Sequence, residues 1–434
     1  MPLLRLTDEL FTVTTDSCPH GLFALDQEQL RSPYDLYRKW RELGPVVYLQ
    51  EQDIYIVTRH DLIKSVNRQP GLFSNQNPLG PSSALAAEAI AAVLGEFPEE
   101  AVTRATIVLN RGNVLFTADP PEHTRHRRLL NVALKRSAIE RIKDDIELIA
   151  RQAVGGLDRG NTIDLNEQLA VPVPIHCLAA LLGVPREYTA DFHRWAEAIN
   201  ASIGAAMSKE KIRQVIQDQM DFWSFFEAEI LARTDAPGQD LLSAIATATS
   251  AIDAPLTLSE KVGFCSQLIG AGADTTTKLI GFATLAMAQD QTLQDELRQE
   301  PEKIGPFAEE ILRLEPPVQG MFRVTTADTE LNGVKISQGS MVWLLYGSAN
   351  RDERVFACPN EVNLARPNRR DHLSFGSGPH VCIGANLARE VARSVLKELL
   401  AQTRQITLPA SAKQPGVLPS YVMHGLQSLP VTLT

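Results

Sequence analysis

The sequence predicts a mainly α protein, a single large helical domain over residues 1–434 with a smaller β-rich part. Three observations predict it. From about residue 119 to 315 nearly every segment repeats its apolar residues at helical spacing. The stretch "MFRVTTADTELNGVKISQGSMVWLLY" is β-branched and broken by Asn-Gly and Gln-Gly, the mark of short strands joined by tight turns. No internal repeat, charge block or linker divides the chain.

The elements follow in order. "YDLYRKWRELGP" reads as an amphipathic helix stopped by Gly44 and Pro45, then "VVYL" and "DIYIVT" as a hairpin. "HDLIKSVNR" returns to helix. Residues 74–118 form a long irregular excursion around the Ala-rich helix "SALAAEAIAAVLG", and long excursions in compact proteins tend to bind something. Helices are expected over 138–155, 166–182, 187–204, 209–233, 258–290 and 303–314. Two or three strands follow, so the β-rich part covers roughly 44–60 and 318–346 plus C-terminal strands. A Pro- and Arg-rich irregular stretch, 358–378, leads to one more helix, whose apolar Leu387, Ala388, Val391, Ala392, Val395, Leu396, Leu399 and Leu400 make a wide buried stripe.

Composition narrows the class of function. Hydrophobic residues at 44% and charged residues at 22% are ordinary for a soluble folded chain. A net charge of -10 repels nucleic acid and anionic membrane, so neither is expected as a partner. Arg5, Asp8 and Glu9 interrupt the apolar N-terminus, which predicts no signal peptide or membrane anchor and a cytoplasmic location. Cys18, Cys177, Cys265, Cys358 and Cys382 contain no C-x-x-C pair, arguing against a disulfide framework or a thiolate zinc site.

Cys382 stands apart in "FGSGPHVCIG". Gly376, Gly378 and Gly384 remove side chains where the backbone must approach something flat and bulky, and a helix begins just after the sulfur. A helix N-terminus and a Gly-rich turn both favour a thiolate. Such a sulfur is a nucleophile or a metal ligand. A nucleophile needs a partner base, and His380, two residues away, is poorly placed to serve.

The spacing Phe375, Gly378, His380, Cys382, Gly384 resembles the haem-binding loop of the cytochrome P-450 superfamily, F-x-x-G-x-H/R-x-C-x-G, at every specified position. Other segments carry the same resemblance. In "LIGAGADTTTKL" Gly270, Gly272 and a Thr run interrupt a helical segment, where a lone glycine would read as a flaw or a packing notch. Ala271, Gly272, Ala273, Asp274, Thr275 and Thr276 match the family's oxygen-binding pattern A/G-G-x-D/E-T-T/S. A mid-helix threonine bonding back one turn bends the helix into a groove for dioxygen, and an acid beside an alcohol suits proton delivery. Glu310 and Arg313 in "EEILRLEPP" are worth only about 0.2–0.5 kcal/mol as an exposed pair, and the same E-x-x-R begins at Glu28, Glu122, Glu210 and Glu390. Their position between the other motifs makes them resemble the family's structural pair, with Arg366 of "NLARP" as third member. His123 and Arg127 lie four apart on one helical face, and as bare residues they read as a solvated basic cluster. They fit the family's H-x-x-x-R, and with Arg323 and His380 they match its four haem-propionate partners. Arg125 and Arg128 point elsewhere, leaving a basic face near the cysteine for an acidic redox protein.

The resemblance implies the cytochrome P-450 fold, haem b (Fe-protoporphyrin IX) with Cys382 as its thiolate ligand, and O2 as cosubstrate. It implies binding contacts from Phe375, Gly376, Gly384, Ala271 and Gly272, proton handling by Asp274 and Thr275, and hydroxylation or epoxidation of a hydrophobic molecule. No G-x-G-x-x-G or Cys cluster supplies a second redox centre, so a separate ferredoxin and NAD(P)H-dependent ferredoxin reductase are expected, and a monomer. A peroxide-driven peroxygenase or a non-catalytic haem-thiolate sensor fits less well, because Asp274 and Thr275 are retained. A cysteine hydrolase is the remote third reading. Expected pocket segments are 74–118, the helices at 187–225, Leu268 to Thr275, Val318 to Phe322 with Val318, Gln319, Gly320 and Met321, and the terminal "SYVMHG" with Val422.

Overall fold

The computed structural model describes residues 20–81, 90–109, 113–133, 136–200, 208–409 and 415–434. The apolar N-terminus, Cys18, part of the 74–118 excursion and the end of the expected 187–204 helix lie outside them.

The centre of the molecule is the helix Leu258–Gln289. Its start is set by a reciprocal cap: the Glu260 amide donates to Thr257 Oγ1 (3.2 Å) and the Thr257 amide to Glu260 Oε2 (2.7 Å). Apolar residues ring it on most sides, so it is covered on most sides. Helices Pro172–Leu182, Thr189–Asn200, Lys209–Asp235, Ile304–Leu314 and Ala385–Gln402 pack around it. The apolar stripe of Ala385–Gln402 is buried as its periodicity requires, except Ala388, which faces a cavity.

Two expected helices are divided. The segment 138–155 breaks at Ile142 into Arg136–Arg141 and Lys143–Gly155. The segment 166–182 opens with a π-helical turn, Asn166–Ala170, before a helix restarting at Pro172. Proline lacks an amide to continue the ladder but suits a helix's first turn.

The β part is a five-stranded sheet ordered Val46–Leu49, Ile54–Val57, Met341–Leu344, Met321–Thr325, Phe73–Ser74. Only the pairing of Ile54–Val57 with Met341–Leu344 is parallel. The 321–346 stretch holds four strands rather than two or three, because Asn332 (φ 49°) and Gly333 (φ 85°) close a separate small hairpin, Thr329–Leu331 with Val334–Ile336. The C-terminal strand Pro430–Leu433 joins Thr162–Asp164 and Ile406–Thr407. Among the described residues no helix is long and apolar enough to cross a membrane.

Candidate functional site: a cysteine-floored cavity

The loop from Phe375 to Gly384 folds back on itself, and the Cys382 amide donates to the Phe375 carbonyl at 2.8 Å. The glycines turn out to serve the loop's own path. Gly376 (φ 68°) and Gly378 (φ 69°) are left-handed, and a Cβ on Gly378 would lie 2.6 Å from the Asn67 carbonyl oxygen. Gly384 has neither constraint: its φ is -88° and the nearest atom to an added Cβ is Cys382 Sγ at 4.0 Å.

The Cys382 side chain is accessible only because it opens into an internal cavity; the surrounding protein encloses it. Burial pushes the thiol up. The amides of Gly384 and Ala385, ahead of the helix Ala385–Gln402, and the guanidiniums of Arg127 and Arg389 pull the other way without cancelling burial. A helix N-terminus alone therefore does not ionise this thiol. The sulfur is prepared for ionisation by an added positive centre such as a metal.

One side of the cavity is basic. His123 and Arg127 of the helix Glu122–Ala133, Arg323 of the central sheet and His380 of the cysteine loop all line it, with no Asp or Glu among the lining residues. The His123 and His380 rings face each other at 3.9 Å. Burial, then the charges of Arg127 and His126, drives His123 down to about 4. Burial, then His123, Arg323 and Arg127, drives His380 down to about 2. Arg323 is tied to Asn67 Oδ1 (2.9 Å) and the Phe322 carbonyl (2.8 Å), and Arg127 to the Val381 carbonyl (2.9 Å). His380 Nε2 is buried with no partner. So many donors without a carboxylate suit a ligand that brings its own. A haem fits: acidic arms at this wall, iron at the sulfur, a flat apolar ring between.

Arg125 and Arg128 do not extend this wall. Arg125 pairs with Glu122 and Glu260, and Arg128 holds Asp253 at 2.7 and 2.6 Å. Both charges are neutralised locally.

The long helix forms another wall. Leu268, Ala271, Gly272, Thr275 and Thr276 line the cavity; Asp274, on the neighbouring face, does not. Thr275 Oγ1 donates to the Ala271 carbonyl (2.7 Å), Thr276 to Gly272 (2.8 Å) and Thr277 to Ala273 (3.0 Å), yet the helix runs unbroken. Gly270 is a packing notch: a Cβ there would meet Ile199 Cγ2 at 2.5 Å, and Asn200 donates to its carbonyl at 2.9 Å.

Leu115, Phe116, Leu178, Phe264, Val318 and Met321 complete a largely apolar lining. Three expected residues are not in it. Gln319 turns into the core, its Nε2 on the Pro316 carbonyl (2.9 Å) and its amide on the Val422 carbonyl (2.8 Å). Gly320 lies against Trp343, where a Cβ would come within 2.4 Å of Nε1, and Val422 is fully buried beside Gln319. Among described residues, 187–225 and 420–425 contribute nothing to the lining. Sequence reasoning did not single out Phe116, Gln267 or Tyr346. Phe116 lies in the flagged excursion, but nothing local distinguishes Tyr346 from a core aromatic.

Behind the cysteine loop, Glu310 is wholly buried and bound by two guanidiniums, Arg313 at 2.9 and 3.0 Å and Arg366 at 3.0 Å to each oxygen. Arg313 continues to the carbonyls of Asn350, Pro359 and Glu361, and Arg366 to those of Ala357 and Cys358. Together they pin the irregular stretch that leads into Phe375.

Residues 175–424 match the cytochrome P-450 family. Among curated proteins the chain is 32% identical to Cytochrome P-450 109 of Bacillus spizizenii, covering 93% of this chain and 92% of that one. It is 30% identical to the 6-deoxyerythronolide B hydroxylase of Saccharopolyspora erythraea, over 92% and 96%. Among solved structures, a cytochrome P-450 of Bacillus megaterium in complex with corticosterone superposes with TM-score 0.79 at 27% identity, over 93% of this chain and 99% of that one. The chain belongs to the cytochrome P-450 family, haem b-thiolate monooxygenases that place one oxygen atom of O2 into a hydrophobic organic substrate.

Proposed function

We propose that Cys382 is the thiolate ligand of the haem and that His123, Arg127, Arg323 and His380 hold its two carboxylates. The observation that carries this is one cavity with the sulfur, a carboxylate-free basic wall and the threonine helix around it. Phe375, Gly376, Gly384, Ala271 and Gly272 shape the walls against the ring. Glu310, Arg313 and Arg366 hold the loop and take no part in the chemistry.

A haem held at Cys382 would supply O2 activation, for a net reaction R–H + O2 + 2 H⁺ + 2 e⁻ → R–OH + H2O. The protein supplies what that balance needs from a polypeptide. The apolar wall of Leu115, Phe116, Phe264, Leu268, Val318 and Met321 binds and orients the substrate and excludes water. Thr275, whose hydroxyl hydrogen is held by the Ala271 carbonyl, turns its oxygen lone pairs into the cavity, and Asp274, partly exposed beside it, takes protons from solvent. The substrate is a small hydrophobic compound of terpenoid or steroid type, a reading supported by the lining and by the corticosterone-bound relative. Electrons come from a separate ferredoxin served by an NAD(P)H-dependent reductase. The chain acts as one domain and as a monomer in the cytoplasm.

The decisive experiment is the reduced, carbon-monoxide-bound spectrum. The native protein shows the thiolate-type band, and Cys382→Ser loses it; its retention would remove the assignment. Spectral titration with steroids and terpenoids tests the substrate class. Product formation with a ferredoxin system is expected to exceed that with peroxide, and the reverse result would indicate a peroxygenase.

A further inference from the structure

The helix that carries Asp274 and Thr275 also carries a buried lysine. Lys278 lies one turn beyond Asp274, and its side chain is 3% exposed. The stem lies flat against Gly425 of the C-terminal segment, where a Cβ would come within 2.6–2.9 Å of Lys278 Cγ, Cδ and Cε. That segment is itself fastened: His424 stacks on Phe282 of the same helix at 4.7 Å, the His424 amide donates to the Pro317 carbonyl (2.9 Å), and Asn166 donates to the Leu426 carbonyl (2.9 Å). The stem cannot swing outward, so the ammonium is directed back along the helix. There it pairs with Asp274 Oδ1 and reaches the Asp274 carbonyl at 3.5 Å. No other ion pair is formed by Lys278 among the described residues. A buried ammonium with a single carboxylate partner holds that partner strongly, because separating them leaves a desolvated charge.

We propose that Lys278 is a positioning residue for the oxygen chemistry, its buried ammonium fixing the Asp274 carboxylate in one orientation beside Thr275. The inference rests on the reading of Asp274 as proton carrier. Lys278 touches neither substrate nor cavity; it acts through Asp274. It also gives Asp274 a second task as counter-ion, so Asp274→Asn alone mixes a lost proton carrier with an orphaned lysine.

The test uses the full haem-loaded protein as wild type, Lys278→Met, Lys278→Gln, Asp274→Asn and the double variant Asp274→Asn/Lys278→Met. For each, product per O2 consumed, the solvent isotope effect on product formation, the substrate-induced spectral shift and the thermal unfolding temperature are measured. The expected result for Lys278→Met is about a tenfold fall in product per O2, a raised solvent isotope effect, and an unchanged spectral shift. Lys278→Gln does the same should the methionine variant fold poorly. In thermal unfolding, Asp274→Asn loses more than the double variant, since the second substitution removes the orphaned charge. The proposal is overturned if either lysine variant matches wild type in product per O2 and isotope effect, or if the stability effects simply add. If Asp274→Asn couples as well as wild type, the proton-carrier reading fails instead, and the stability cycle still reports whether the ion pair is there.

Discussion

Thr275 shows how one hydroxyl can serve two purposes. Its Oγ1 donates to the Ala271 carbonyl at 2.7 Å and faces the cavity shared with Cys382, so its lone pairs remain open to what enters there. Thr276 and Thr277 make the same backward bond, yet only Thr275 and Thr276 reach the cavity. Thr275→Ala is therefore expected to keep the fold, the carbon-monoxide band and substrate binding while product per O2 drops by about tenfold or more. Equal product per O2 from variant and wild type would remove Thr275 from the proton path. Cys382 follows the same logic: the sulfur is enclosed and its neighbours offer amides and guanidiniums, but burial dominates until a cation is present.

At the scale of elements, the cysteine loop depends on backbone shape. Gly378 combines a left-handed φ of 69° with a carbonyl 2.6 Å from any added Cβ, whereas Gly384 has an ordinary φ and open space. Gly378→Ala should destabilise the loop by about 1–3 kcal/mol and lower haem occupancy, whereas Gly384→Ala, free of backbone strain, should leave the loop's own stability nearly unchanged. Absorbance of haem per polypeptide after purification, with thermal unfolding, measures both. The long helix obeys a similar constraint at Gly270, whose missing side chain admits Ile199 of the neighbouring helix.

Across the whole molecule, buried charges tie the helical part to the irregular stretch before the cysteine. Burial alone would raise the Glu310 carboxyl, but Arg313, the Asn363 amide and Arg366 outweigh it and hold it below its usual range. Glu310→Ala leaves two buried guanidiniums unmatched and is expected to cost about 3–5 kcal/mol, read as a large loss of folded, haem-binding protein. Next to it, Glu309 binds His372 (3.0 Å) and Arg389, whose guanidinium sits 4.4 Å over the Phe375 ring. Burial would raise Glu309, yet those two partners bring it from 4.5 down to about 2. A carboxyl lowered on folding stabilises fully above its unfolded value, so this contribution persists above pH 4.5 and is lost as the pH falls through 2. Unfolding temperatures taken stepwise from pH 6 downward should fall in that window, and Glu309→Gln should flatten the fall; parallel curves would contradict it.

Much of this was legible in the chain alone. Helical periodicity predicted the mainly α fold, the Asn-Gly and Gln-Gly turns located the sheet, and the spacing around Cys382 resembled a haem loop, because each depends on neighbours a few residues apart. What lay beyond reach depended on distant contacts. Gln319, Gly320 and Val422 resemble pocket residues in sequence, but pairing across the chain turns them into the core. Gly378 of the loop answers to the Asn67 carbonyl, a remote segment of the chain, rather than to a ligand alone. Lys278 looks like an exposed helical lysine until Gly425 covers it. The sequence by itself determined the local conformations and the order of chemical groups. Tertiary structure alone decided which of those groups share one cavity and which charges lose their water, since burial and charge pairing arise only when remote segments meet.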